Sequence, residues 1–423
     1  MKFRVLKILL AVLGLVALFA AGLAIRRVVL SAQFEQYGRP LPFNLESALE
    51  FRYVRMLFET GHIPILDKAV QAPEGVVVRE TYTLGAEYVY AAAAHLFPPS
   101  FPLDERVRWI AAAWFCLGIP LMSLWLWAWT RSIWAAGIAG AYYAVALSAV
   151  MRSTGQELQH ENFALPFLIA HWALGALANR TKGRSAFFIA ALFSALMLAC
   201  AVSAWDLMQY YVILWGIWSY VRFVAGRYFR FPRACLVWWL TLLALAGAGA
   251  LNPYLRTHMF AGSFAMLLAY GVALGLLVEW LMKFIPGKIL SVFHPCSIRG
   301  KPYFWRALLA LMALLPLIAG MLWIQQYGET YSHFIELFWA KLRFLNHKPA
   351  DPALLTFYQR ILWTAPLNSA TLLLTATLFP VTLCLSVLAG TVAFFHARAH
   401  PDPKINQLLS YTVISLLVFV FFV

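Results

Sequence analysis

Residues 46–75 read ESALEFRYVRMLFETGHIPILDKAVQAPEG. Glu46, Glu50, Arg52, Arg55, Glu59, His62, Asp67, Lys68 and Glu74 put nine ionisable side chains into thirty positions, in a chain of which only 12% is Asp, Glu, Lys or Arg. An apolar run at 8–25 precedes this stretch, and apolar runs resume after residue 106. So polar a segment between apolar runs reads as a reactive loop at a membrane surface, held in place by the helices around it.

The rest of the chain agrees. Of its 423 residues 62% are hydrophobic, and the mean hydropathy is +0.73; soluble domains are nearer half apolar. Repeated runs of about 20 apolar residues mean a polytopic, all-α helical membrane protein. The spacing predicts about eleven spans, at 8–25, 107–130, 132–150, 163–177, 186–204, 207–224, 235–251, 264–282, 305–324, 367–394 and 408–423. The first is too long for a signal peptide, and Arg26-Arg27 is not a small-residue cleavage site. Residues 81–97 are amphipathic and end at Pro98-Pro99, which suits an interfacial helix.

Lys2, Arg4 and Lys7 place the N-terminus in the cytoplasm, and the short basic loops then fall on that same side. This accounts for the net charge of +15 without any nucleic-acid partner. The loops at 31–106, 151–162 and 325–363 lie outside on this count. Five scattered cysteines include no CxxC pair and mark neither a zinc site nor a disulfide framework. The last apolar run has no polar tail, which suggests a truncated chain or the membrane part of a longer one.

Glu46-x3-Glu50-x-Arg52, followed by Asp67-x5-Pro73-x-Gly75, resembles the first outer loop of the oligosaccharyltransferase catalytic subunit, one of the GT-C membrane glycosyltransferases. Glu46 takes the acidic place, Arg52 the arginine place, and Glu50 stands where that family has histidine. The resemblance covers roughly residues 1–390, by motif in the first loop and by topology elsewhere. It implies a GT-C-like domain over 1–423, with a long first outer loop (31–106), a late outer loop (325–363) acting as a lid, and no C-terminal soluble domain in this chain. Trp238-Trp239 lies inside a span and does not supply the family's acceptor-reading signature.

The implied activity is transfer of a sugar or oligosaccharide from a polyprenyl-phosphate or diphosphate donor to an acceptor of unknown identity. It would take place at the outer face of a bacterial or archaeal plasma membrane. Glu46 and Arg52 become candidate catalytic residues, although Glu46 paired with Arg52 or Arg55 in a solvated loop explains the same spacing. The family holds its metal at the second outer loop, here Arg152-Ser-Thr-Gly155-Gln-Glu157-Leu-Gln-His160-Glu161.

Glu46, Glu157, His160 and Glu161 are therefore the expected ligands of one divalent cation. The mixed oxygen and nitrogen set suits Mn²⁺, and an all-oxygen subset suits Mg²⁺. A helix start with Glu near the positive end of the dipole is the alternative for that loop. Asp67, Trp205, Asp206, Glu336, Arg343 and Arg360 are candidates for holding donor or acceptor. Asp206 also fits a simple turn cap, and Lys341 or Lys348 could replace the arginines on the phosphates. Two rival classes remain, a lipid or solute transporter and a non-catalytic membrane subunit. Acids concentrated in outer loops, with no internal repeat, favour the enzyme over the transporter.

Overall fold

The computed structural model describes residues 2–225, 232–281, 308–327, 332–345, 347–363, 388, 391, 392 and 395. The expected spans at 367–394 and 408–423 and the basic segment at 283–301 fall all or nearly all outside these residues.

The chain opens with α1 (Lys2–Tyr37), an unbroken helix of 36 residues, about 54 Å long at 1.5 Å per residue. It is longer than the expected span and stops at Gly38, which is left-handed at φ +79°. The polar loop itself is largely helical. α2 (Leu45–Thr60) ends at Gly61, also left-handed, whose N–H donates to the carbonyl of Leu57. A two-stranded antiparallel hairpin follows, β1 (Leu66–Asp67) against β2 (Val76–Val77), with Asp67 opposite Val76. α3 (Val78–Thr81) and α4 (Gly85–Ala94) complete the loop, α4 being the expected amphipathic helix.

The run expected as one span at 107–130 is two helices in line, α5 (Leu103–Cys116) and α6 (Gly118–Thr130). Pro120 has no N–H for the carbonyl four residues back, at Cys116, so the ladder is interrupted there. The next run likewise divides, into α7 (Ile133–Val145) and α8 (Leu147–Arg152), with Ala146 extended at ψ 125°. α9 (His160–Ala178), α10 (Arg184–Ala204), α11 (Gln209–Val224) and α12 (Pro232–Leu251) cover the following four runs. The short α13 (Pro253–Thr257) precedes α14 (Phe264–Leu281). After it come α15 (Leu315–Tyr327), α16 (Ser332–Arg343) and α17 (Phe357–Leu362).

Among the described residues five helical stretches are long and apolar enough to cross a membrane: Leu9–Tyr37, Leu103–Thr130, Arg184–Ala204, Arg233–Leu251 and Phe264–Leu281. Ile133–Val145 and Leu308–Gly320 are apolar but shorter. The protein is a helical, integral membrane protein. Leu9, Leu10, Leu13 and Val16 are more than half exposed on α1, as lipid-facing side chains are.

The chain forms two compact units, one of Met1–Gln209 with Tyr228–Ala261, the other of Tyr210–Arg227 with Gly262–Val423. In the first unit α10 packs on α9 and α12, α6 on α7 and α9, and α2 on α4. Small side chains permit the close approach of α9 and α10: Ala164, Ala173, Ala178, Ala191 and Ala195 are all fully buried. A polar tie joins the same two helices, because Ser194 Oγ donates to the His171 carbonyl at 2.8 Å.

In the second unit Gly216 faces Ala265, and Tyr220 donates its hydroxyl to the Ala310 carbonyl at 3.1 Å. Leu337, Ala340, Leu355 and Trp363 make a small separate core under α16 and α17. The segment expected as the late outer loop therefore carries folded structure of its own among the described residues.

Candidate active site

α2 brings the acidic motif to the site. Glu46 and Glu50 are four residues apart and share one face. Glu46 is exposed at the first turn, whereas Glu50 is buried, 7% exposed. Arg52 points elsewhere. It grips Asp67 with both guanidinium nitrogens, Nη2 to Oδ1 at 3.1 Å and Nη1 to Oδ2. The backbone N–H of Ala69 also donates to Asp67, and these contacts hold the Asp67 carboxyl below its usual range, the Arg52 hydrogen bond being the largest cause.

The pair fastens α2 to the hairpin, and the hairpin closes on Gly75. There φ is +78°, and a Cβ would stand 2.9 Å from the Asp67 carbonyl oxygen. The Asp67-x5-Pro73-x-Gly75 spacing is thus a closed turn.

The second polar loop is zipped onto the first. The N–H of Asn44 donates to the Gln156 carbonyl at 3.1 Å, and that of Leu158 to Ser47 Oγ at 2.9 Å. Gln159 Nε2 reaches the same Ser47 at 3.1 Å, and Asn44 Nδ2 reaches Glu157 at 3.3 Å. Two buried arginines hold the loop from below. Arg108 of α5 donates to the carbonyls of both Gly155 and Leu41, and lies over the Phe43 ring at 3.8 Å. Arg26 of α1 donates to Ser153 Oγ at 2.8 Å and to the carbonyl of Ala144 at 3.3 Å, in the helix turn just before the break at Ala146. Gly155 sits between them at φ +71°.

This zip delivers His160, the first residue of α9, between two buried carboxylates. Its Nδ1 is 3.5 Å from Glu50 Oε1 and its Nε2 is 3.2 Å from Glu87 Oε1. Glu87, from α4, is 1% exposed. Its other oxygen has no hydrogen-bond partner among the described residues.

Burial is the largest single influence on His160 and disfavours the imidazolium. The Glu87 hydrogen bond and the charges of Glu50, Glu87 and Asp206 together outweigh it, raising the ring's pKa to about 9. Glu50 is pushed well above the usual carboxylate range, by burial first, with His160 opposing and Glu87, Glu161 and Glu46 adding to the rise. The imidazolium of His160 and the neutral form of Glu50 are thus both favoured by their surroundings.

The other expected residues take no part in the His160 contacts. Arg152 takes Glu161 at 2.7 Å and lies 3.6 Å from Glu157. Asp206 caps its turn by accepting from the Leu207 N–H at 2.8 Å and also accepts from the Tyr254 hydroxyl at 3.3 Å. Trp205 is the extended residue that ends α10. Glu336, Arg343 and Arg360 belong to the second unit, where Glu336 accepts from Thr356 Oγ at 3.4 Å.

Among the described residues no three of His, Cys, Asp and Glu stand at metal-ligating distances. The centre does offer two carboxylates and an imidazole, with one buried Glu87 oxygen unpartnered among the described residues, a donor set that a divalent cation could use only after His160 gave up its proton.

Glu87, Ser47, Asn44, Arg26 and Arg108 were missed by the loop motifs. Glu87 carried a signal, as the one acid in the otherwise apolar, alanine-rich segment that became α4. Beside the centre runs a cavity of about 710 Å³, lined by Tyr82, Tyr88, Phe163, Phe167 and Leu251, with Arg79 on its wall. Glu87 is two residues beyond Gly85, another lining residue, and His160 is three before Phe163. The polar centre and this largely apolar groove are thus two or three residues apart along α4 and α9.

No family model matches the chain, and no curated protein matches it in sequence. Solved structures do match. One is an archaeal oligosaccharyltransferase, AglB from Archaeoglobus fulgidus, in complex with an inhibitory peptide and a dolichol-phosphate; it is 16% identical, with a TM-score of 0.64 over 98% of this chain and 49% of that one. Another is the Archaeoglobus fulgidus oligosaccharyltransferase in its apo form, 15% identical, with a TM-score of 0.66 over 97% and 48%. The chain has the oligosaccharyltransferase-like GT-C fold and spans about half the length of the structures it matches.

Proposed function

We propose that this protein is a membrane glycosyltransferase that moves a sugar or oligosaccharide from a polyprenyl-phosphate or diphosphate donor to an acceptor nucleophile at the outer membrane surface. The observation that carries the proposal is the meeting of Glu50, Glu87 and His160 beside the apolar groove. A lipid-linked donor needs both parts, a channel for an isoprenoid chain and a charged centre at the sugar–phosphate bond. The structural neighbour bound to a dolichol-phosphate and a peptide supports the same donor class.

In the transfer, the bond from the sugar's anomeric carbon to phosphate oxygen breaks. A bond from that carbon to the acceptor forms, and the acceptor's proton leaves to a base. Glu46, exposed one turn from Glu50, would take that proton. Glu50, Glu87 and, on losing its proton, His160, with Glu161 within electrostatic reach, would hold Mn²⁺ or Mg²⁺. Such a cation supplies charge neutralisation of the departing phosphate. Arg152 keeps Glu157 and Glu161 oriented. Arg79 lies at the groove where a phosphate entering with its lipid would meet it, and Tyr82 and Tyr88 line the same groove.

The test is sugar release from a polyprenyl-linked donor by the full chain in lipid vesicles, with Mn²⁺ titrated. Glu50→Gln and Glu87→Gln should lower turnover by about 10²-fold or more, with the loss in at least one shifting the Mn²⁺ midpoint. Glu46→Gln should lower turnover at every Mn²⁺ level. Full activity in all three variants would leave the fold standing and remove this chemistry.

A further inference from the structure

The segment containing α16 and α17 shows a pattern that donor chemistry at the first unit does not use. Its inner side is accounted for by the small core of Leu337, Ala340, Leu355 and Trp363. Its outer side is unusually apolar. Trp339 is 63% exposed, Phe357 61% and Leu345 83%. Each aromatic has an exposed arginine one helical turn on, Arg343 four residues after Trp339 and Arg360 three residues after Phe357, so each pair shares a helix face. The two helices are one body, because Gln359 Nε2 donates to the Glu336 carbonyl at 3.2 Å and Thr356 Oγ donates to the Glu336 carboxylate.

We propose that residues 332–363 lie on the bilayer surface. Trp339 and Phe357 sit at headgroup depth, and Arg343 and Arg360 rest on the phosphates of anionic phospholipid. Rings of this kind prefer the membrane–water boundary, and arginine beside them meets the negative surface it favours. Position allows it as well. The apolar helix Leu308–Gly320 continues into α15, and five chain steps from Tyr327 to Ser332 span at most about 18 Å. α16 therefore begins near the point where the chain leaves the apolar layer. Exposed charge on the segment is mainly positive, from Arg343, Lys348 and Arg360 against Asp351, which matches an anionic surface.

Spin labels at positions 339, 357 and 351, introduced by cysteine in a background with the native cysteines replaced, would report depth in vesicles with and without phosphatidylglycerol. Labels at 339 and 357 should relax more with oxygen than with a water-soluble nickel complex, and the label at 351 the reverse. Arg343→Glu with Arg360→Glu should move both labels toward water in the anionic vesicles. Equal water access at all three positions would overturn the proposal. So would burial of 339 and 357 that appears only on adding dolichyl phosphate, or that grows with the protein-to-lipid ratio, since these report closure over a ligand or a second copy. Hydrogen exchange on the unaltered chain gives an independent measurement. Amides of 332–345 should exchange more slowly in phosphatidylglycerol vesicles than in phosphatidylcholine vesicles, and identical rates there would also count against it.

Discussion

His160 has one ring and a carboxylate at each nitrogen. With a pKa raised from the histidine value to about 9, its charged form is the one the fold selects. Its contribution to docking the second loop is thus complete below the unfolded pKa of about 6.5 and is lost as pH rises through about 9. In chelator-treated protein, hydrogen-exchange protection of 153–160, corrected for intrinsic rate, should hold near neutrality and fall through that alkaline range. His160→Gln should remove the step. Arg108 allows a second comparison. Arg108→Met would leave the carbonyls of Gly155 and Leu41 without their shared donor, at about 1–3 kcal/mol for each buried unpaired group, and thermal unfolding should register it. Arg108→Lys keeps a charge but cannot reach both carbonyls in a fixed fork, so its midpoint should fall between wild type and Arg108→Met.

At the scale of elements, the β1–β2 hairpin is held by the Arg52–Asp67 pair and by one glycine. Asp67 has a depressed pKa, so its contribution is present above its unfolded value of about 3.8 and is lost as pH falls through the lower folded value. Limited proteolysis across 66–77 should accelerate only in strong acid in wild type, and at neutral pH in Asp67→Asn. The substitution should cost about 1.5–3 kcal/mol, the range for hydrogen bonds to a charged group.

Gly75→Ala should weaken the same turn, combining a left-handed φ, about 1–2 kcal/mol for an L side chain, with the approach of the Asp67 carbonyl. The Asp67-to-Gly75 spacing was legible in the sequence because a glycine at a fixed distance from an acid is a backbone requirement written in residue types. The partners of His160 were not. Glu50 appears as a departure from a family pattern, and Glu87 lies on a separate helix thirty-seven residues on. Only packing α2 against α4 reveals that both face one imidazole.

At the scale of the whole molecule, apolar run length alone fixed the helical membrane class, and most runs became helices where expected. It did not show that two of them are broken. One break follows from Pro120, visible in the sequence. The other, at Ala146, has no breaker residue and is stabilised from outside by Arg26. Sidedness is open to a direct check. A thiol introduced at the exposed Thr60 should react with an impermeant reagent in intact cells, and one at the exposed Lys182 should not. Reaction at 182 would invert the orientation and put the Glu50–His160–Glu87 centre on the cytoplasmic side.

Arg26 also imposes an order of assembly. Its acceptors at Ala144 and Ser153 are 118 and 127 residues further along the chain. At ribosomal rates of about 5–20 residues per second, they emerge roughly 6–25 s after it does. During that interval the guanidinium has the Gly22 carbonyl of its own helix, at 2.9 Å, but none of its later acceptors, and its natural refuge is the hydrated rim of the bilayer. The opening helix is therefore expected to wait high in the membrane and to settle only when α7 and α8 arrive. The last step of its insertion is thus the same event that seats the second polar loop, and with it His160.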